Sequence, residues 1–228
     1  LAEQARRCGA VQIASTIDLT MLEPGVEWLP APLDFEPLRA LRERAYRPSE
    51  RIRIAHAPTN RNAKSTSLFE ATVRRLAREL PIDLDIIENV TWADCLARKA
   101  RADIFYDQLN YGYGNNAVEA WAMGIPVVAG VASAAVEAKM LATWGRLPFV
   151  SATAATLGAV LGELIASRAM RAEFAEIGTA HVERFHAESN VASLLRGIYS
   201  GAPRTVRAAK PMPLSGLERR RAMAARWA

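Results

Sequence analysis

The stretch that most limits what this chain can fold into runs from Tyr106 to Gly130: Tyr-Asp-Gln-Leu-Asn-Tyr-Gly-Tyr-Gly-Asn-Asn-Ala-Val-Glu-Ala-Trp-Ala-Met-Gly-Ile-Pro-Val-Val-Ala-Gly. It reads as strand, glycine loop, short helix, proline turn and buried strand. Ile104-Phe105-Tyr106 ends a strand. Gly112 and Gly114 let the backbone approach a ligand with no side chain in the way. Asn115 or Asn116 caps a helix that runs to Met123. Gly124 stops that helix, Pro126 restarts the chain in extended form, and Val127-Val128 are buried-strand residues. A glycine loop feeding a helix N-terminus gathers N–H groups and the positive end of a dipole, which suits a phosphate. Glu119, about one turn into the helix, can reach neighbouring hydroxyls such as those of a ribose.

The chain on either side alternates. Strands are expected at Arg51–His56, Leu84–Ile87, Asp103–Tyr106, Val127–Ala129 and Leu147–Val150. Helices are expected at Thr66–Glu79, Trp92–Ala100, Ala134–Thr143, Thr156–Ser167 and Arg171–Phe185. Leu68, Phe69, Val73 and Leu76 form one apolar stripe of the first of these helices. Strict alternation with short connections predicts an α/β fold. Its parallel sheet is doubly wound and Rossmann-like, with a ligand cleft at the carboxyl ends of its strands. Before this, residues 1–20 read as a short helix and a strand at Val11–Ala14. Residues 21–35 hold Pro24, Gly25, Pro30 and Pro32, a linker composition.

Half of the 228 residues are hydrophobic, enough for a sizeable core. The net charge of +5 is concentrated in residues 203–228, where seven basic residues face Glu218 alone, so the body of the chain is near neutral. That balance gives no reason to expect a nucleic-acid partner. The basic segment, which holds three prolines, reads as a mobile tail that can touch an anionic membrane surface. Cys8 and Cys95 have no close Cys or His partner, which reads as small buried or half-buried residues in a reducing compartment. His181 and His186 read as surface residues on the terminal helices. No His-Cys-Asp cluster has metal spacing, and there is no nucleophile elbow or Walker loop.

Gly112-Tyr113-Gly114, Glu119-Ala120 and Gly124-Ile125-Pro126-Val127-Val128 resemble the donor-binding region of GT-B type glycosyltransferases. The resemblance is to the C-terminal donor-binding domain of the large retaining group 1 family. That family includes sucrose and glycogen synthases and many bacterial mannosyl- and glucosyltransferases. It implies a nucleotide diphosphate sugar as substrate, no cofactor and no metal. It also implies that Arg61 and Lys64, in the loop after the first strand, act in catalysis by offsetting charge on the leaving diphosphate. Ser65 stands where the family has a glycine. His56, in a His-Ala-Pro phrase found in some members, either contacts phosphate or caps its strand. Val90 marks the loop that meets the base through backbone groups. Tyr111, Gly112, Tyr113, Gly114 and Asn115 line the donor, and Glu119 holds the ribose. Tyr111 falls where the family has a glutamate facing the donor sugar.

The resemblance divides the chain into residues 1–20, a remnant of an N-terminal domain, and 21–50, an interdomain linker and lead-in. Residues 51–202 are the Rossmann-like donor domain with terminal helices, and 203–228 the tail. The acceptor, a glycan, lipid or protein, would be met on a facing domain. The location implied is cytoplasmic, peripheral to a membrane if the tail binds one. Two other readings stay open. One is a non-catalytic nucleotide-sugar-binding or interaction module derived from a glycosyltransferase. The other is a GT-B type nucleotide-sugar 2-epimerase.

Overall fold

The computed structural model describes residues 2–200, so the expectation of a mobile tail at 203–228 lies outside the described residues. The chain begins with α1 (Ala2–Arg7), β1 (Ile13–Ala14), a 3-10 turn at Asp18–Met21, β2 (Glu27–Trp28) and α2 (Glu36–Ala45). Alternation follows: β3 (Ile52–His56), α3 (Thr66–Leu76), β4 (Ile82–Ile86), α4 (Trp92–Lys99), β5 (Ile104–Tyr106), α5 (Asn115–Ala122), β6 (Val127–Ala129), α6 (Ala134–Trp144) and β7 (Val150–Ser151). Three helices close it: α7 (Leu157–Ala166), α8 (Arg168–Phe185) and α9 (Glu188–Ser200).

The main sheet has five parallel strands in the order β4-β3-β5-β6-β7, as the alternation predicts. From β3 the chain steps one way to β4, then returns to β3's other side for β5. That reversal opens a crevice between the loops leaving β3 and β5, where ligands bind in doubly wound sheets. β1 and β2 form a separate parallel pair, Ile13 opposite Glu27.

Strand side chains alternate between the two faces, and both are buried. Ala55, Phe105, Val127 and Ala129 point to a face packed with Leu38, Leu96, Trp121, Met140 and Trp144. Ile54, Ile104, Tyr106, Val128 and Val150 point to the other, against Phe69, Val73, Leu161 and Leu164. α8 serves both: Met170, Phe174 and Ile177 join the second cluster, Val182 and Phe185 the first. Ser133 and Ser167 cap α6 and α8 by accepting from Val136 and Met170 N–H groups, and Gly145, at φ 82°, ends α6.

Several expectations change. Residues 36–45, inside the expected linker, form α2, because a proline in a helix's first turn gives up an N–H that has no partner there anyway. Leu38 is buried, and Arg42 caps the end of α4 by donating to the carbonyls of Ala100 and Ala102, each at 2.7 Å. Neither Asn115 nor Asn116 caps α5; its N-cap is Gly114. Cys8 is exposed, and Cys95 half-buried. His181 and His186 are both buried, since α8 lies across the core and not over it.

Gly178 sets the spacing of α5 and α8. A Cβ there would lie 1.9 Å from Cδ1 of Trp121, a fully buried ring. Gly178→Ala is therefore expected to lower the unfolding free energy by about 1–3 kcal/mol, the usual cost of overpacking. Urea unfolding measures it; an unchanged midpoint would mean that α8 moves aside freely.

Candidate functional site

The crevice is organised by Asp107, the first residue after β5. Its carboxylate is 1% exposed and accepts from Lys64 Nζ at 2.5 Å. Its other oxygen accepts at 2.7 Å from the N–H of Gly114, the N-cap itself, the donor that a glutamate three residues on would take in a capping box. The loop after β3 and the N-terminus of α5 are thus pinned together. Lys64 stands beside the glycine loop: a Cβ on Gly114 would lie 3.6 Å from Nζ. In α5's first turn the Ala117 N–H donates to the Gly114 carbonyl at 3.0 Å, and the N–H groups of Asn115 and Asn116 have no helical carbonyl before them to meet. A partly exposed ammonium beside such donors is a place for an anion.

An aromatic block supports the loop after β3. Phe69 and Tyr106 stack at 4.1 Å and 3°, and His56 meets both edge-on. Tyr106 Oη donates to the Lys64 carbonyl at 3.1 Å. His56 is 1% exposed, its Nδ1 2.9 Å from the Tyr106 carbonyl and its Nε2 2.8 Å from Thr66 Oγ1. Nδ1–H must donate to the carbonyl, so Nε2 accepts from the threonine. Both nitrogens are spent inside the protein, and of the two roles open for His56 the geometry favours strand-end anchoring. Ser65 precedes α3 at φ 53°, the left-handed region that a glycine enters at least cost.

Arg61 points elsewhere. Its guanidinium donates to Glu88 at 2.6 Å and to Glu70 at 2.7 Å, and these carboxylates hold its pKa above the ordinary value. Of the two cations expected at a diphosphate, Lys64 alone faces the glycine loop in this structure.

Glu119 lies in a second cluster. One carboxylate oxygen accepts from Lys99 Nζ, and the other from the indole N–H of Trp92 at 3.1 Å. Lys99 is fully buried, with Nζ 4.9 Å above the Phe105 ring and 2.8 Å from Asn116 Oδ1. Asn116 donates onward to the Ala57 carbonyl at 2.9 Å, tying α5 to the loop after β3. Trp92, at the start of α4, is 68% exposed. Val90, two residues before it, is 40% exposed, and Asn89 turns the loop at φ 55°.

In the glycine loop, Gly112 has φ 77°, and a Cβ there would lie 2.3 Å from Met140 Cε. The left-handed φ is what calls for glycine, since the Met140 methyl is the end of a flexible side chain that can shift. Tyr111 is 48% exposed and bridges to Val131. Tyr113, 6% exposed, turns inward, its hydroxyl 2.9 Å from His181 Nε2 and 3.0 Å from His186 Nε2. His186 Nδ1 donates to the Ala31 carbonyl at 2.8 Å, so its Nε2 accepts from Tyr113 and the tyrosine oxygen accepts from His181. The α8–α9 junction is also bound to the lead-in: the Leu33 N–H donates to the His186 carbonyl at 2.8 Å. Among the described residues no group of His, Cys, Asp or Glu is arranged to hold a metal ion, and no helix is long and apolar enough to cross a membrane.

Sequence reasoning placed Lys64, the glycine loop and Glu119 in one crevice. It missed Asn116's role, Lys99, the pairing of Asp107, and Trp92. Of these only Lys99 left a local trace, a lysine four residues after an apolar-face position of a short amphipathic helix.

The five-stranded parallel sheet with its flanking helices has the fold of the Rossmann-like half of GT-B structures, as solved structures show. Sucrose-phosphate synthase from Thermosynechococcus elongatus superposes with a TM-score of 0.57 at 13% identity, over 83% of this chain and 57% of that one. HepE from Anabaena, in complex with UDP and glucose, gives 0.58 at 14% identity, over 84% and 63%. A glycosyltransferase from Rickettsia africae gives 0.58 at 12% identity, over 83% and 62%. The chain thus spans less than two thirds of each of these structures. No family model matches the sequence, and no curated protein does.

Proposed function

We propose that this chain is the donor half of a glycosyltransferase, holding a nucleotide diphosphate sugar for transfer to an acceptor met on a facing domain. The observation that carries this is the placement of Lys64 beside the Gly114 N-cap of α5, at the sheet's reversal point. The fold is one in which a neighbour, HepE, has been solved with UDP and glucose. The diphosphate would lie between Lys64 and the first-turn N–H groups of α5. As the sugar–phosphate bond breaks, negative charge grows on the leaving diphosphate. A fixed ammonium and fixed helix donors stabilise that charge without reorganising. Arg61 would join only by leaving Glu70 and Glu88. Glu119, backed by Lys99, would accept from the ribose hydroxyls. The acceptor and any general base belong to the facing domain, because transfer needs both reactants held in register.

A non-catalytic nucleotide-sugar-binding module is the second reading. It is favoured by Tyr111, an exposed phenol where the resembling family has a carboxylate toward the sugar.

Calorimetric titration with adenosine, guanosine and uridine diphosphates tests what the two readings share, and failure of all three to bind would overturn both. Product formation from a labelled donor, assayed with the full-length protein, separates them. Glu119→Gln is expected to weaken the best ribonucleotide about tenfold, as a carboxylate acceptor becomes a neutral one. Its 2′,3′-dideoxy analogue should lose little. Equal loss for both would make Glu119 a structural partner of Lys99 only.

A further inference from the structure

Glu119 is half-buried, its side chain 13% exposed, and each carboxylate oxygen takes a donor from the protein. Lys99 supplies one from within the fold, its own side chain fully buried. The other oxygen, Oε1, takes its hydrogen bond from Trp92 Nε1 at 3.1 Å. Trp92 has no packing reason to be there: at 68% exposure its ring contributes little to the core. An indole N–H that open to water can be solvated anywhere. What it does at this position is satisfy a carboxylate oxygen at the mouth of the crevice.

The same oxygen is the one that a ribose would use. Lys99 is locked beneath the carboxylate by Asn116 and Phe105, so Oε2 is not available for exchange. Trp92 is the first residue of α4, and the cap of that helix is Thr91, whose hydroxyl accepts from the Asp94 N–H. The indole can therefore swing about its side-chain torsions while the helix and its cap stay intact.

On the reading of this crevice as a nucleotide-sugar site, we propose that Trp92 is a placeholder for the ribose. In the free protein its N–H occupies Glu119 Oε1; when the nucleotide binds, a ribose hydroxyl takes that acceptor and the indole withdraws. The residue thereby sets ribose selectivity. The hydroxyls' gain at Oε1 is partly offset by the loss of the indole bond, and a nucleotide without them leaves the indole in place.

The consequence is a substitution in a binding crevice that tightens binding. Trp92→Phe keeps an aromatic ring and removes the competing donor. Calorimetry with the tightest of the three nucleoside diphosphates should show W92F binding it about threefold to tenfold more tightly than the native chain, the worth of one modest hydrogen bond. Affinity for the 2′,3′-dideoxy analogue should not change. The Trp92 indole N–H resonance, identified by its absence in W92F, should move on saturation with the ribonucleotide and stay in place with the dideoxy form. Unchanged or weaker ribonucleotide binding by W92F would overturn the placeholder. So would a stationary indole resonance in a chain that calorimetry shows to be saturated. Those results leave the nucleotide reading standing. A native chain that binds none of the three diphosphates would overturn that reading, and the placeholder with it.

Discussion

Lys64→Ala is expected to lower the affinity for a nucleoside diphosphate at least about tenfold, because a charge-assisted hydrogen bond to phosphate is lost. The parent nucleoside should bind the variant as it binds the native chain. The same change removes the cation from Asp107, whose side chain is 1% exposed. Taking one partner from a buried pair typically costs about 3–5 kcal/mol, since a desolvated charge is left behind. Gly114 still donates to Asp107, which places the expected loss at the lower end. Adding Asp107→Asn should return part of that stability and none of the diphosphate affinity. Both are measured below the variant's unfolding transition, by calorimetry and by urea titration. An equal loss of nucleoside and diphosphate would assign Lys64 to the fold alone.

The second large effect is acid lability. The chain has three histidines and all are buried. Burial pushes His56 and His186 down from 6.5 to about 4, and burial beside His186 and Arg184 holds His181 well below its ordinary value. Between pH 6.5 and 4 the unfolded chain therefore binds protons that the folded chain refuses. Stability rises with pH wherever the unfolded state holds more protons. It is fully present above the unfolded value near 6.5 and is lost progressively as pH falls toward 4. At pH 5, His56 and His186 each contribute a loss of about 2 kcal/mol relative to pH 7. His181 adds to it. The charged groups near His56, Asp107 on one side and Lys64 and Arg61 on the other, oppose one another and leave burial dominant. Urea midpoints should drop steeply from pH 7 to pH 5, and His186→Gln should make the slope shallower. A flat profile over that range would mean that the Tyr113 hydroxyl network and the His56 site both accept a proton without cost.

The β/α alternation and the glycine loop were legible because their signals are local. Val127-Val128 after a proline, and Gly112 and Gly114 before an amphipathic octet, constrain the backbone within a few residues. The site's electrostatics were not legible, because its pairs join distant positions. Lys64 meets Asp107 across 43 residues, and Lys99 meets Glu119 across 20. Nothing at Asp107 tells a strand-end cap from the anchor of a loop two strands away. The N-cap of α5 was misplaced for the same reason. Asparagine is the better local cap, but the long-range carboxylate of Asp107 holds the Gly114 N–H and starts the helix there, so Asn116 lies inside it and binds Lys99 and Ala57. α2 was hidden by prolines, whose meaning reverses between a linker and a helix's first turn. The histidines misled because α8 is amphipathic on two sides, feeding both faces of the sheet, so its polar residues carry no clear outward stripe.

The contact of Gly178 with Trp121 also has a mechanical meaning. Backbone meets ring with no side chain between them, and no slack is left along that seam. Gly130 is seated as tightly on the other side of the loop, where a Cβ would lie 2.2 Å from the Ala152 carbonyl oxygen. Gly178 thus seats α5 against α8, while Gly130 holds the loop before it, its carbonyl accepting from the Gly112 N–H at 2.8 Å, so the helix and the loop that feeds it are positioned before an anion arrives. Accommodation of a ligand falls to the more exposed side chains at the rim: the guanidinium of Arg61 and the indole of Trp92. A variant library meant to change what this crevice accepts should draw on those two positions and leave the two glycines alone.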